Sequence, residues 1–413
     1  MSITAQPSLT LTQSIFSIPV IVAALGYFVD IYDLTLFSIV RVDSLRDLGI
    51  SEAQLQKDGI FILNMQMFGM LLGGILWGVL GDKKGRLSVL LGSILLYSLA
   101  NIANGFVQDV TTYAWIRFIA GVGLAGELGV GITLVAESLP QKYRGYGTVL
   151  VATVGVSGAV LGFYVASTTN WRIAYFLGGG MGMLLLLLRF SLKDSPLYKK
   201  MHQEGRVAGN FLMLFQSLPR FKRYLKCIFL GVPLWAIVGI VATFSPEIAK
   251  SMNLSEPVNA GRSIMLCYLG ITFGDACSGL LSQWLKSRRK AMAIFYLYTI
   301  IIVILLLGFN NYTAHLFYIG IFMCGFGVGV WALFITTSTE QFGTNIRATV
   351  TTTVPNFVRG MVIPLTLCFS LLQNYFTIQH AALTLTLATL LLSLLSLRGL
   401  AETFYRDMDF YEE

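Results

Sequence analysis

The sequence predicts an all-α membrane protein with twelve transmembrane helices in two six-helix bundles. Three observations carry this. Of 413 residues, 55% are hydrophobic and 12% charged, about half the charged share of a soluble globular chain. Apolar runs of about 20 residues, each able to cross roughly 30 Å of hydrocarbon, recur along the whole length. The longest and most basic connection, residues 191–223, divides those runs six and six. Alternating apolar and polar segments of the kind that build membrane β-barrels are absent.

Taken in order, the expected spans are 15–40, 60–80, 87–107, 113–137, 146–169, 172–190, 224–247, 262–284, 290–309, 313–338, 348–373 and 378–398. They group into an N-terminal bundle (1–190), a cytoplasmic linker (191–223) and a C-terminal bundle with a short tail (224–413). Residues 1–14 carry no Lys or Arg, which argues against a cleaved signal peptide and for a permanent first span.

Span 1 holds Asp30 and Asp33 near its midpoint, three residues apart and therefore on one helical face. A charged Asp there costs on the order of 2.5–3.5 kcal/mol. That cost is tolerable where the group faces a polar cavity or holds a proton. Tyr27 and Tyr32 flank the acids and are candidate substrate contacts. Between spans 2 and 3 lies a short basic turn, Gly78-Val79-Leu80-Gly81-Asp82-Lys83-Lys84-Gly85-Arg86. Its glycines give backbone freedom and its cations hold it to one membrane face.

Span 4 runs from Arg117 through Gly121, Gly123 and Gly126 to Glu127, a third proton-site candidate near the midplane. Its end carries Glu137, and Arg144 opens span 5, where Gly155, Gly158 and Gly162 follow. Glycines of this kind let helix backbones approach closely. Span 7 contains Pro233, Trp235 and Pro246, and span 8 contains Asp275. Span 10 contains Gly325, Gly327, Gly329 and Trp331 and ends at Glu340. Proline and glycine make these helices bendable. Span 11 begins near Arg347 and centres on Pro355, Asn356 and Arg359. Pro355 permits a kink there, freeing backbone carbonyls. Arg359 cannot discard its charge. It suits a carboxylate or other oxyanion, or serves as counterion to Asp30, Asp33 or Asp275. Trp235, Trp331, Asn356, Tyr27 and Tyr32 complete the candidate substrate shell.

With both termini cytoplasmic, the inner loops and tail hold 21 Lys and Arg and the outer loops 6, a strong positive-inside asymmetry. The net charge of +8 therefore reports topology and contact with anionic lipid, not a nucleic-acid partner. Five cysteines lie within apolar runs and three histidines are far apart. No metal site, cofactor or catalytic nucleophile is indicated. The halves also echo each other. Glu137 and Glu340, Arg144 and Arg347, and Gly126 and Gly329 are each 203 residues apart, as parallel half-repeats around a central cavity require.

The turn Gly78–Arg86 resembles the motif Gly-x-x-x-Asp-basic-x-Gly-basic-basic between helices 2 and 3 of the major facilitator superfamily of secondary transporters, departing only at Leu87. Span 4, with Arg117, Gly121, Gly123, Gly126 and Glu127, is similar to the metabolite–proton symporter branch, as is the acid-x-x-Asp of span 1. The resemblance implies the major facilitator fold. It implies alternating access in a monomer of the inner (plasma) membrane, with symport of a small organic acid or zwitterion with protons through Asp30, Asp33 and Glu127. Asp82, Arg86, Glu137, Arg144, Glu340 and Arg347 would form its cytoplasmic gate. The second copy of the turn, 283–289, keeps the bases but lacks the acid, so a symmetric lock is not expected. An efflux antiporter or facilitator of the same fold, including a cation-selective one, and a transporter-like receptor are the alternatives. An enzyme is not expected.

Overall fold

The computed structural model describes residues 17–84, 86–127, 144–189, 211–310, 313–405 and 410–412. Among these there is no β-strand, and the helices supply all twelve spans. The first half comprises α1 (Ile18–Asp47), α2 (Leu55–Lys84), α3 (Arg86–Asn104), α4 (Val110–Leu124), α5 (Arg144–Thr168) and α6 (Trp171–Arg189). The second comprises α7 (Leu218–Ala236), α8 (Ala260–Leu285), α9 (Arg288–Leu307), α10a (Ala314–Gly327) with α10b (Trp331–Glu340), α11a (Thr344–Gly360) with α11b (Val362–Leu372), and α12 (Ile378–Arg398).

The boundaries follow side-chain chemistry. Asp109 caps α4 by accepting from the Thr112 amide at 2.8 Å, and Asn259 caps α8 by accepting from Arg262 at 2.9 Å. Ser287 opens α9 by accepting from Lys290 at 3.1 Å. Each relieves one of the orphan donors of a first turn.

Pro233 lies inside α7 and removes the amide that would bond the Phe229 carbonyl one turn back. The Ser393 hydroxyl of α12 donates to that carbonyl at 2.6 Å, and Tyr296 of α9 donates to the adjacent Leu230 carbonyl at 2.5 Å. Neighbouring helices thus satisfy backbone groups that no water reaches. Beyond Pro233 the helix loosens into a π-helical turn, Ile237–Ala242.

Span 11 departs from expectation. The helix runs unbroken through Pro355 and is interrupted only at Met361. The cause lies downstream: Pro364 has no amide to give the Gly360 carbonyl, so the ladder fails there.

Within the first half α1 packs on α5, α2 on α4 and α3 on α6; within the second α8 packs on α10a and α7 on α12. The two halves meet where α2 lies against α11a and where α8 lies against α1 and α5. The closest pairs are backbone on backbone. A side chain at Gly121 of α4 would strike the Gln66 carbonyl of α2, and one at Gly270 of α8 the Phe322 carbonyl of α10a. The half-repeat also appears in the breaks: α4 stops at Leu124 and α10a at Gly327, again 203 residues apart. Both interruptions lie at the cavity described next. We call the end where α1 starts and α12 finishes the near end, and the opposite one the far end.

Candidate functional site

A cavity enclosing about 1070 Å³ of empty space, including its part open to solvent, lies between the halves. Its walls are mostly apolar and aromatic, with Tyr27, Ile31, Leu34, Leu234, Trp235, Tyr268, Ile271 and Trp331 among them. Three charged residues join them: Glu127, Asp275 and Arg359. Val151 near the start of α5, with Ile335 and Thr336 of α10b, carry the lining toward the near end.

Arg359 comes from the last turn of α11a and is 1% exposed. Its Nη2 lies 3.7 Å from Asp30 Oδ2. Its Nε and Nη1 have no hydrogen-bond acceptor among the described residues, and neither does the indole N–H of Trp235. Both residues belong to the cavity lining, which thus holds three buried donors without an acceptor, two of them on one cation, a chemistry suited to an anion.

Glu127 follows the turn that ends α4, and both its oxygens are engaged. Arg189, the last residue of α6, forks onto them at 2.5 and 3.0 Å. Gly26 of α1 makes room, since a methyl there would land on both groups. Asp33 is fully buried with both carboxylate oxygens unpartnered, as are those of Asp30 apart from the Arg359 pair. Arg117 anchors the helix carrying these acids without reaching a carboxylate. It donates to Asn101 Oδ1 at 2.9 Å, to the Asp33 carbonyl at 3.2 Å and to Gln66 Oε1 at 3.3 Å. Asp275 accepts the Ala332 amide at 3.2 Å, closing the first turn of α10b after its break.

The far end of the cavity is latched across the two halves. Arg41 of α1, fully buried, pairs with Glu247 at 2.7 Å, donates to the Thr243 carbonyl at 3.2 Å and lies over the Phe244 ring at 4.6 Å. Beside it the Thr243 hydroxyl donates to Ser38 at 3.1 Å. No equivalent bond joins α5 to α10b at the near end among the described residues.

Of the candidates from sequence, the cavity wall gathers Tyr27, Glu127, Trp235, Trp331 and Arg359, with Asp30 behind Arg359. It does not gather Tyr32, whose hydroxyl is spent on the Ala174 carbonyl at 2.8 Å. Nor does it gather Asn356, whose amide bonds the Ala125 carbonyl at 3.1 Å and so ties α11a to the end of α4. Asp33 also lies outside the wall, one turn of α1 from Asp30. Among the gate candidates, Glu340 is held by Arg288 through two contacts of 2.6 Å, and Arg347 Nε donates to the Phe342 carbonyl at 3.2 Å. Glu137 and the side chains of Asp82, Arg86 and Arg144 lie outside the described residues.

Two residues escaped sequence reasoning. Arg189 and Arg41 each stand at the edge of an apolar run, where a cation reads as a loop charge. Yet both are buried to 1% or less and hold a carboxylate. The available signal was position: Arg189 already falls within the expected span 172–190, and one further residue on the span 15–40 takes in Arg41.

Residues 23–366 match the Major Facilitator Superfamily. The niacin transporter NiaP of Acinetobacter baylyi is 25% identical over 367 residues, covering 79% of this chain and 80% of its own. The benzoate transport protein of the same organism is 29% identical over 185 residues, 43% of this chain and 39% of its own. The E. coli xylose transporter XylE, solved in an inward open conformation, superposes with a TM-score of 0.72 at 16% identity, covering 95% of this chain and 98% of XylE.

Proposed function

From the premise that this chain belongs to the major facilitator superfamily and is an integral, multi-pass membrane transporter of a small solute, we propose that it is a proton-coupled symporter. Its proposed substrate is a planar ring monocarboxylate, and its mechanism is alternating access. The observation that carries this reading is the set of unpartnered donors, Arg359 Nε and Nη1 and Trp235 Nε1, on a wall otherwise built of rings and aliphatic side chains. A carboxylate takes the guanidinium, and a flat apolar body takes the walls. Niacin and benzoate, for which two relatives are named, have that shape.

The bundles 1–190 and 224–413 rock about the solute as a monomer, joined by 191–223, in the inner membrane with both termini cytoplasmic. The far end is then the outside, and the latched form described here faces inward. Asp30, held 3.7 Å from Arg359, competes with a substrate anion for the same cation. A proton on Asp30 releases Arg359 to the substrate, which links the two ligands without direct contact between them. Asp33 sits behind it as a second proton store, and the Glu127–Arg189 pair fixes the wall beside them. The gate expected from the sequence, Asp82, Arg86, Glu137, Arg144, Glu340 and Arg347, closes the cavity from inside in the other half of the cycle.

Proteoliposome uptake of radiolabelled benzoate or nicotinate, with and without an inward proton gradient, tests this. Wild type accumulates substrate against its gradient only when protons flow inward. Asp33→Asn loses accumulation by at least tenfold while retaining exchange. Accumulation that ignores the proton gradient, or that survives in Asp33→Asn, removes protons or Asp33 from the mechanism.

A further inference from the structure

Asp33 is fully buried, stands outside the cavity wall, and has no hydrogen-bond partner for either carboxylate oxygen among the described residues. A proton stored there needs a group that hands it on. The face of α6, which packs on both α1 and α3, shows what lies level with it. Gly178 and Gly182 share that face and are about 6 Å apart along the axis. A methyl at Gly178 would come within 2.5 Å of Asp33 Oδ1. One at Gly182 would lie 3.0 Å from Tyr97 Cε2 and on top of the Ser98 hydroxyl. Because α1 and α6 run antiparallel, the turn from Gly178 to Gly182 matches the turn from Asp33 to Asp30. The tip of the Tyr97 ring, carried by α3, is therefore level with Asp30. Tyr97 is fully buried and its hydroxyl has no hydrogen-bond partner among the described residues. Such a group is rare in a folded interior and calls for an explanation. The charges acting on it are those of Glu127, Asp33, Arg189 and Asp30. Glu127 and Arg189 are closed on each other, which leaves the two aspartates to trade a proton with it.

We infer that Tyr97 is the relay that carries the coupling proton between Asp33 and Asp30. The inference rests on the proton-symport reading above. A phenol both accepts and donates. As Asp33 gives its proton to the Tyr97 oxygen, the Tyr97 hydrogen passes to an Asp30 oxygen, directly or through one water. Asp33 is left a carboxylate, Asp30 a carboxylic acid, and Tyr97 the neutral phenol it was. The proton that frees Arg359 for the substrate thus comes from inside the first bundle.

The test is Tyr97→Phe, which removes the hydroxyl and keeps the ring against Gly123 and Gly182. The hydroxyl holds no bond among the described residues, so a purely structural Tyr97 predicts no loss. The full-length protein in proteoliposomes is assayed for two rates with radiolabelled benzoate or nicotinate. One is accumulation driven by an inward proton gradient; the other is exchange of the same solute without a gradient. In Tyr97→Phe the ratio of the first rate to the second is expected to fall about tenfold or more. The slowing of accumulation by D2O is expected to exceed that of wild type, because proton transfer has become the limiting step. An unchanged ratio, whether or not both rates drop together, overturns the inference and leaves the symport reading standing. A lowered ratio with a D2O effect no larger than wild type's overturns it equally. If wild type accumulates neither solute when protons flow inward, the symport reading falls and takes this inference with it. Should Tyr97→Phe not fold, Tyr97→Leu is measured in its place by the same two rates.

Discussion

At the scale of single residues, the molecule spends its buried charge in pairs of unequal quality. Glu127 and Arg189 meet with two short bonds, whereas Asp30 and Arg359 stand 3.7 Å apart. The first pair is closed on itself, whereas the second leaves Nε and Nη1 of Arg359 without an acceptor among the described residues. Removing one member of a closed buried pair leaves the other uncompensated and costs about 3–5 kcal/mol, while replacing both is often close to neutral. Glu127→Gln is therefore expected to lower the thermal unfolding temperature in detergent sharply, and Glu127→Gln combined with Arg189→Met to recover most of the loss. A double variant as unstable as the sum of the singles would show that the fork is not a closed pair. Asp30, Asp33, Glu127 and Arg359 were legible in the sequence because a charge inside a long apolar run has few explanations. Arg189 and Arg41 were not, because the same charge at the end of such a run is what any loop provides. What no linear reading supplies is which hydroxyl or amide is already spent. Tyr32 and Asn356 are polar, central and well placed along their helices, yet the Ala174 and Ala125 carbonyls have taken them.

At the scale of helices, function depends on where regular structure is allowed to stop. The breaks after Leu124 and Gly327 sit 203 residues apart, the offset at which Glu137 and Glu340 already recur in the sequence. The position of these breaks was thus latent in the repeat. The interruption falls at Met361 and not at Pro355 because a proline's effect lies on the carbonyl one turn before it, and it is Pro364 that leaves the Gly360 carbonyl without its amide. Helix contacts make an equally specific demand. Gly274 of α8 faces the Phe326 carbonyl and the Gly329 Cα of α10, whereas Gly279, little more than a turn on, has no atom within 4 Å of where its Cβ would be. The two glycines have opposite expectations. Gly274→Ala must push α8 off α10, with a loss of about 1–3 kcal/mol as in other overpacked contacts. Gly279→Ala gains up to about 1 kcal/mol from helix propensity alone. Melting of the two variants side by side checks this, and equal effects would mean that α8 and α10 are not in backbone contact.

At the scale of the whole molecule, the question is what holds one arrangement of the halves against the other. The far-end latch is compact. Arg41 is fully buried, is bonded to Glu247 and Thr243 of the opposite half, and is roofed by Phe244. Opening the far end exposes that guanidinium and breaks its charge-assisted bonds, worth about 1.5–3 kcal/mol. In the form seen here that latch is closed. Glu247→Gln removes the charge while keeping the side chain's size. On those terms it shifts the ratio of far-open to near-open molecules by roughly ten- to a hundredfold. Leu34 lines the cavity and reports the shift. In a background freed of the five native cysteines, Leu34→Cys should react with an impermeant thiol reagent added on the far side about tenfold faster or more once Glu247→Gln is introduced. Reaction from the near side should slow in step, because the two openings exclude each other. If far-side labelling rises with no matching fall at the near side, the latch is a plug over a leak and not one arm of an alternating mechanism. An unchanged rate on both sides would mean that packing around Phe244, and not the ion pair, keeps the far end shut.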